Sequence, residues 1–427
     1  MKSFEPGSDH EVGLAGQMPV GDDRAGIDLP CDEVHESPAP HSRPIMTATR
    51  IYLDHHATTP VDPHVAAVVM EAMTVTYGNA NSVHHAYGRE AARRIDLAAG
   101  QVASLVGSEA EDVRFTSGAS EALRLALAYA SERRDAPLRV AASTIEHPAL
   151  IEELERGAKA GWFELHWMEV GSDGVVMLTA VADALDWGAH LVCLMAANNE
   201  VGTLQPIEAA ASLVGKAGGQ ILVDGTQAAG RIPLASRDWE IDYLVLSGHK
   251  LYGPKGVGAL VGMDLAATPP PSRYAFHDAT PNVPGIAGLG EACRLCEMEM
   301  PTEHERVGRL RDWLQDRLLS DLPEAEINGS QSRRLAANLH LSLRDVPGDA
   351  VVEHLADKVA ISTGAACVSG SDAPSHVLRA MRLPPWRQEG ALRISLGRFT
   401  TMDDVDRAAL AIVAAVADVR AVMGTSK

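Results

Sequence analysis

The stretch Ile241–Leu260, IDYLVLSGHKLYGPKGVGAL, opens with a short apolar run that stops at Ser247 and Gly248 and hands over to a glycine-rich turn. A buried strand ending there puts His249 and Lys250 just beyond it, and loops held at strand ends commonly carry chemistry. The runs VRFTSG, LRVAAST, HLVCLMAA and QILVDG repeat the arrangement upstream, separated by Ala- and Leu-rich stretches of helical composition. Strands alternating with helices predict an α/β fold whose mainly parallel sheet is covered by helices. Ligands bind such sheets beyond the carboxyl ends of the strands. The polar residues fall at those ends: TSGAS after VRF, His147 after AASTIE, Asn199 after LMAA, Asp224 closing ILVD and Ser247 closing LVLS. One crevice is therefore expected to collect an imidazole, an amide, a carboxylate, a hydroxyl and an amine.

Outside this region the chain changes character. Residues 1–50 hold scattered acids, prolines and glycines with little periodicity and are expected to be a disordered acidic leader, within which Met46 offers an alternative start. Beyond Pro301, TEHERVGRLRDWLQDRLLSDL has helical apolar spacing, and NLHLSL, VAIST and LRISLG read as strands of a second, smaller layer. No internal repeat is visible.

Composition narrows the function classes. A formal net charge of −20 over 427 residues repels nucleic acids and anionic membranes, and no basic patch offsets it. The longest apolar stretch, Ala408–Ala417, is far shorter than the roughly 20 residues a membrane helix needs and reads as a packed terminal helix. The start lacks a basic segment followed by an apolar core, so no secretory signal is read and a cytoplasmic location is expected. Five cysteines in so long a chain do not make a disulfide framework. Cys293 and Cys296 form a lone CxxC in a helix-like stretch, whereas Cys367 sits in STGAACVSGSDAPSH, whose small residues leave a thiol accessible. No metal site is expected.

A pyridoxal phosphate site asks for a lysine to take up the aldehyde, an acid against the pyridine nitrogen, and hydroxyl and N–H groups at a helix start for the phosphate. Lys250, Asp224 and the helix opened by SGASEA, with Ala119 and Ser120, supply all three. Each residue taken singly has a plainer reading: Asp224 and TSGAS as helix caps, Gln227 as surface. Their joint occurrence in this order carries the cofactor reading.

With YLDHHATTPVDP, FTSGASEA, EHPAL, NNEVGTLQPI, VDGTQAAG, SGHKLYGPKGVGAL, STGAAC with PSHVLRAM, and LRISLGRFT, the chain resembles the group I cysteine desulfurases from about Ile51 to its C-terminus. These are class V members of the fold-type-I pyridoxal phosphate enzymes. The resemblance implies a large cofactor-binding domain (62–300) on a mainly parallel seven-stranded sheet, and a smaller α/β domain (51–61 with 301–427) carrying the nucleophile. It implies that Lys250 holds the cofactor aldehyde, Asp224 pairs with the pyridine nitrogen, Asn199 and Gln227 address the ring hydroxyl, and His147 stacks on the ring. Ala119, Ser120, Ser247 and His249 match phosphate-binding positions, joined by Thr280 from the other subunit of a homodimer. Arg393 matches the arginine that forks onto the substrate carboxylate. Cys367 matches the nucleophile that takes sulfur from L-cysteine, leaving L-alanine, and passes it to an acceptor protein for iron–sulfur cluster or other thio-cofactor synthesis.

The chain also departs from the family. Where members carry a segment like GGGQERGLRSGT, it reads PPPSRYAFHDAT, which puts dimer contacts and pocket closure in question; Ser120 replaces a threonine and Arg124 an asparagine. Alternatives are another class V lyase or aminotransferase, a selenocysteine lyase, or a non-catalytic scaffold of the same fold.

Overall fold

A computed structural model describes residues 50–132, 136–263, 265, 280–364 and 375–424. The leader before Arg50, the segment before Thr280 and Cys367 lie outside the described residues.

The chain enters through β1 (Ile51–Tyr52) and then forms α1 (Pro63–Thr74), capped by the Asp62 carboxylate with Pro63 at its first position, and α2 (Ala86–Val106), closed by Gly107 at φ 64°. There follow β2 (Val113–Thr116), α3 (Ala119–Ser131), β3 (Leu138–Ser143), α4 (Pro148–Lys159), β4 (Phe163–Met168), α5 (Leu178–Asp186), β5 (Leu191–Met195), α6 (Ile207–Lys216), β6 (Gln220–Asp224), β7 (Tyr243–Ser247) and β8 (Gly258–Val261). These seven strands build one sheet in the order β2-β8-β7-β6-β5-β3-β4. Only β8 runs antiparallel to its neighbours. The α/β architecture read from the sequence is thus the one formed. Two of its strands, β4 and β8, were not signalled there.

Side chains alternate across the sheet with the two-residue period of a strand. From β5, β6 and β7, Val192, Leu194, Ile221, Val223, Leu244 and Leu246 enter the core on one face. Leu191, Cys193, Leu222, Tyr243 and Val245 enter the core on the other. With both faces covered, continuous apolar runs are what such strands require.

The helix α7 (Val283–Asp321) is 39 residues long and runs without interruption through Pro301. Proline there removes one N–H donor and crowds the preceding turn, but both halves of the helix are anchored by burial. Ile286, Leu289, Cys293 and Cys296 pack into the first core, and Val307, Leu310, Leu314 and Leu318 into another. The chain therefore passes between cores inside a helix, and residue 300 marks no linker. Burial pushes both thiols of the CxxC above the ordinary range, Cys296 to about 11.

The second core is completed by β9 (Glu326–Ile327), β10 (Asn338–Ser342), α8 (Gly348–Leu355), β11 (Val359–Ala360), β12 (Ala391–Ser395) and α11 (Met402–Met423), whereas α9 (His376–Ala380) packs into the first core and α10 (Pro385–Glu389) buries no side chain. Here β12, β10 and β9 form an antiparallel sheet, and β1 pairs in parallel with β11. Arg398 ties this part to the first core: its guanidinium reaches Asp62 at 2.9 Å and Glu303 at 3.0 Å while lying over the Tyr252 ring. Among the described residues no helix is long and apolar enough to cross a membrane.

Candidate active site

At the carboxyl ends of the strands opens a cavity of about 590 Å³. One end is made by the turn between β2 and α3. Gly118 there has φ 150°, a conformation that favours glycine, and the first turn of α3 directs N–H groups without intrahelical partners at the cavity. β8 runs close beneath: a Cβ on Gly258 would lie 2.8 Å from Gly118 Cα and 2.6 Å from the Leu246 carbonyl oxygen. Gly258→Ala is expected to displace this turn, destabilising the protein by about 1–3 kcal/mol and weakening anion binding. Calorimetric titration with inorganic phosphate is the check, and parental affinity in the variant would refute it.

Ser247 ends β7 on the same wall. His249 follows it, with Nδ1 3.1 Å from Thr58 Oγ1. Burial, with Lys250, Lys255 and His147 adding to it, lowers the His249 pKa to about 4, so its ring is neutral at pH 7.

Lys250 leaves β7 through a single turn and directs Nζ at the carbonyl oxygens of His56 and Ala57, the latter at 2.7 Å. Asp224, buried at the end of β6, accepts the Thr226 N–H at 2.9 Å. His147 caps α4, its Nδ1 accepting the Ala149 N–H at 3.2 Å, which leaves the ring proton on Nε2. Burial lowers its pKa, helped by Lys250 and His376 and opposed by Asp224. Beneath it Glu146 is fully buried; burial raises its carboxyl to about 8 although Ser143 Oγ and the Met195 N–H both bind it.

Asn199 and Thr226 supply the test of what fits here. Asn199 Oδ1 and Thr226 Oγ1 are buried, have no hydrogen-bond partner among the described residues and belong to residues that line the cavity. A buried polar atom left unpaired costs about 1–3 kcal/mol, so the wall is built for a polar occupant. An amine, a carboxylate, a neutral imidazole and a helix N-terminus around it match the donor and acceptor set that pyridoxal phosphate needs.

Of the residues singled out in the sequence, Ala119, Ser120, His147, Asn199, Asp224, Gln227, Ser247, His249 and Lys250 all line this cavity. Gln227 is engaged on both sides, donating to the His56 carbonyl at 2.9 Å and accepting from Arg231 at 3.0 Å. Arg393 is not on the wall. It is 1% exposed on β12, with Nη2 2.8 Å from Asp54 and Nη1 3.2 Å from the Asn199 carbonyl. Thr280 lines an adjoining cavity of about 440 Å³ that shares Ser117, Glu121 and Gly256 with the first. His56, Thr58, Thr226 and Lys255 also line the main cavity and were given no role from the sequence. The signal for the first two was in YLDHHATTP, whose polar residues follow a strand too short to stand out.

Residues 51–408 match the family described as Aminotransferase class-V. A cysteine desulfurase IscS of Anaeromyxobacter sp. (strain Fw109-5) is 36% identical over 378 residues, covering 87% of this chain and 93% of the relative. A cysteine desulfurase of Nostoc sp. (strain PCC 7120) is 37% identical over 369 residues, 84% of this chain and 90% of its own. The solved structure of a NifS-like protein superposes with a TM-score of 0.78 at 31% identity, covering 86% of this chain and 98% of that one. With residues 51–408 matched to this family and relatives above 30% identity covered over most of both chains, the chain belongs to the class V aminotransferases, among relatives that are cysteine desulfurases.

Proposed function

We propose that this protein is a pyridoxal-phosphate-dependent cysteine desulfurase of the cytoplasm, converting L-cysteine to L-alanine and holding the sulfur as a persulfide on Cys367. The carrying observation is the single cavity in which Lys250, Asp224, neutral His147 and the α3 N-terminus converge around the unpaired Asn199 Oδ1 and Thr226 Oγ1. When bound, the cofactor supplies an aldehyde that joins an amine and a pyridinium ring that withdraws electrons from the substrate α-carbon. In this reading residues 62–300 bind it, and 51–61 with 301–427 carry the nucleophile.

Asp224 would face the ring nitrogen and keep a proton there. Lys250 Nζ would hold the aldehyde and, when free, would hold and return the substrate Cα proton. His147, neutral with its proton on Nε2, would lie against the ring and offer that N–H as a donor. Ala119, Ser120, Ser247 and His249 bind the phosphate, with Thr280 of the partner subunit in a homodimer closing the site. Arg393 takes the substrate carboxylate, exchanging its Asp54 partner for it. The Cys367 thiolate attacks the substrate sulfur: an S–S bond forms from the thiolate pair and the Cβ–S pair passes to carbon. A proton added there completes alanine, and no external oxidant or reductant is consumed. The outer sulfur then moves to an acceptor protein serving iron–sulfur cluster or other thio-cofactor assembly.

Purified protein should show the visible absorbance of bound cofactor and, with a thiol reductant, release alanine and sulfide in equal amounts from L-cysteine. Cofactor binding without alanine would overturn the assignment in favour of another class V activity.

A further inference from the structure

Glu200, next to Asn199 on the turn after β5, is 3% exposed and lies between the two points at which the described chain meets residues 365–374, the stretch containing Cys367. On one side Ser375 Oγ donates to Glu200 Oε2 at 2.5 Å and also caps α9 by accepting the Leu378 N–H at 3.2 Å. On the other, Gly364 has φ 94°, and a Cβ there would lie 3.1 Å from the same Oε2 and 3.3 Å from His340 Nε2. Gly364 is tied back through its N–H to Ser362 Oγ at 3.4 Å, and Ser362 exchanges backbone hydrogen bonds with Arg393 at 3.1 and 2.6 Å. Glu200 is itself fixed: its N–H donates to Asn198 Oδ1 and its carbonyl accepts from Asn338 Nδ2, each at 2.9 Å. His340 Nδ1 lies 2.9 Å from Asn328 Nδ2, leaving its proton on Nε2, a buried atom that abuts the same glycine and has no hydrogen-bond partner among the described residues.

We infer that Glu200 is a positioning residue for sulfur transfer: one carboxylate oxygen accepts from Ser375, where the described chain resumes after residues 365–374, and lies against Gly364, where it breaks off. The inference rests on the desulfurase reading and adds to it a residue outside the cofactor cavity. A carboxylate that binds Ser375 and crowds Gly364 constrains the two described residues flanking the nucleophile's stretch, and misplacement of a reacting group by about 1 Å is worth up to about 10²-fold in rate.

The link is also sensitive to protonation. Burial raises the Glu200 carboxyl to about 7, against the Ser375 hydrogen bond and the Arg393 guanidinium, which lower it. The other groups around it are His340 on β10, which burial keeps neutral down to about 3, Asp54, paired with Arg393, and His56, neutral through burial. A protonated carboxyl is itself a donor and competes for the Ser375 hydroxyl, whereas the carboxylate only accepts. The link therefore tightens as pH rises through about 7.

The test uses holoenzyme and two readouts: the spectral change on binding L-cysteine, and the rate of persulfide formation on Cys367 by rapid quench and mass spectrometry. Glu200→Ala should bind L-cysteine within about twofold of the parent but form persulfide about 10–100-fold more slowly. Glu200→Gln, which keeps an acceptor oxygen, should recover most of the rate and lack the parental rise around pH 7. Ser375→Ala should slow persulfide formation in the same direction, and it decides the matter if Glu200→Ala does not retain cofactor. Parental persulfide rates in both truncations, or an equal loss of L-cysteine binding, would overturn the inference. A parent that forms no persulfide would count against the desulfurase reading itself, whereas an active parent with indifferent variants counts against Glu200 alone.

Discussion

Lys250→Ala is expected to lower L-cysteine turnover by at least about 10²–10⁴-fold, the contribution of a positioned acid–base group, and to abolish covalent attachment of the cofactor. Among the described residues lining the cavity the only other amine is Lys255, in the turn before β8. Lys250 reaches further in because the β7 turn delivers its Nζ to the His56 and Ala57 carbonyls. Losing those bonds leaves two carbonyls short of a donor, at a cost of about 1–3 kcal/mol each, so the variant should melt lower but remain folded. Borohydride reduction of the parent followed by peptide mapping reads the attachment directly. A cofactor-labelled peptide containing Lys255 in place of Lys250 would reassign the role.

Cys367→Ser should separate cofactor chemistry from sulfur transfer. Lys250, Asp224 and His147 are untouched, so L-cysteine still changes the visible spectrum, but a hydroxyl is not ionised near neutral pH and is a poor nucleophile toward sulfur. Alanine and sulfide production should fall on the order of 10³-fold or more, the scale on which removing a nucleophile acts, and no persulfide should appear by mass spectrometry. Cys293→Ala and Cys296→Ala, whose thiols are buried and protonated on α7, should keep the parental rate. Parental desulfuration in Cys367→Ser would mean that sulfur leaves by elimination or through another thiol, and a general lyase would become the better reading.

The sheet was legible in the sequence where strands buried on both faces gave unbroken apolar runs, as in β5, β6 and β7. It was less so at β4, whose FELHWM mixes polar and apolar residues on a half-buried edge, and at β8, which begins with the glycine that lets it pass under Gly118. The continuity of α7 through Pro301 was not legible, because local propensity disfavours a proline inside a helix and only burial at both ends outweighs that cost. Ala119, Ser120, His147, Asp224 and Ser247 were legible because each ends a strand or opens a helix. Arg393 was found as a residue, while its pairing with Asp54 was not, because the partners are brought together only by the return of the chain through β12. Glu200 was hidden by its motif, as nothing local tells a buried carboxylate from an exposed one.

The residues that hold Lys250 come from the beginning of the described chain and are positioned by its end. Asp54 and His56 are fixed by Arg393 and Ser395, each 339 residues later in the sequence. At about 5–20 residues per second of synthesis, the segment after β1 leaves the ribosome roughly 20–70 s before the strand that seats it. A nascent chain can lay down the seven-stranded sheet during that interval and still lack the carbonyl pair that receives the lysine. Any product cut short before β12 would therefore be a folded sheet with an unfinished active site, which ties competence of the enzyme to completion of its translation.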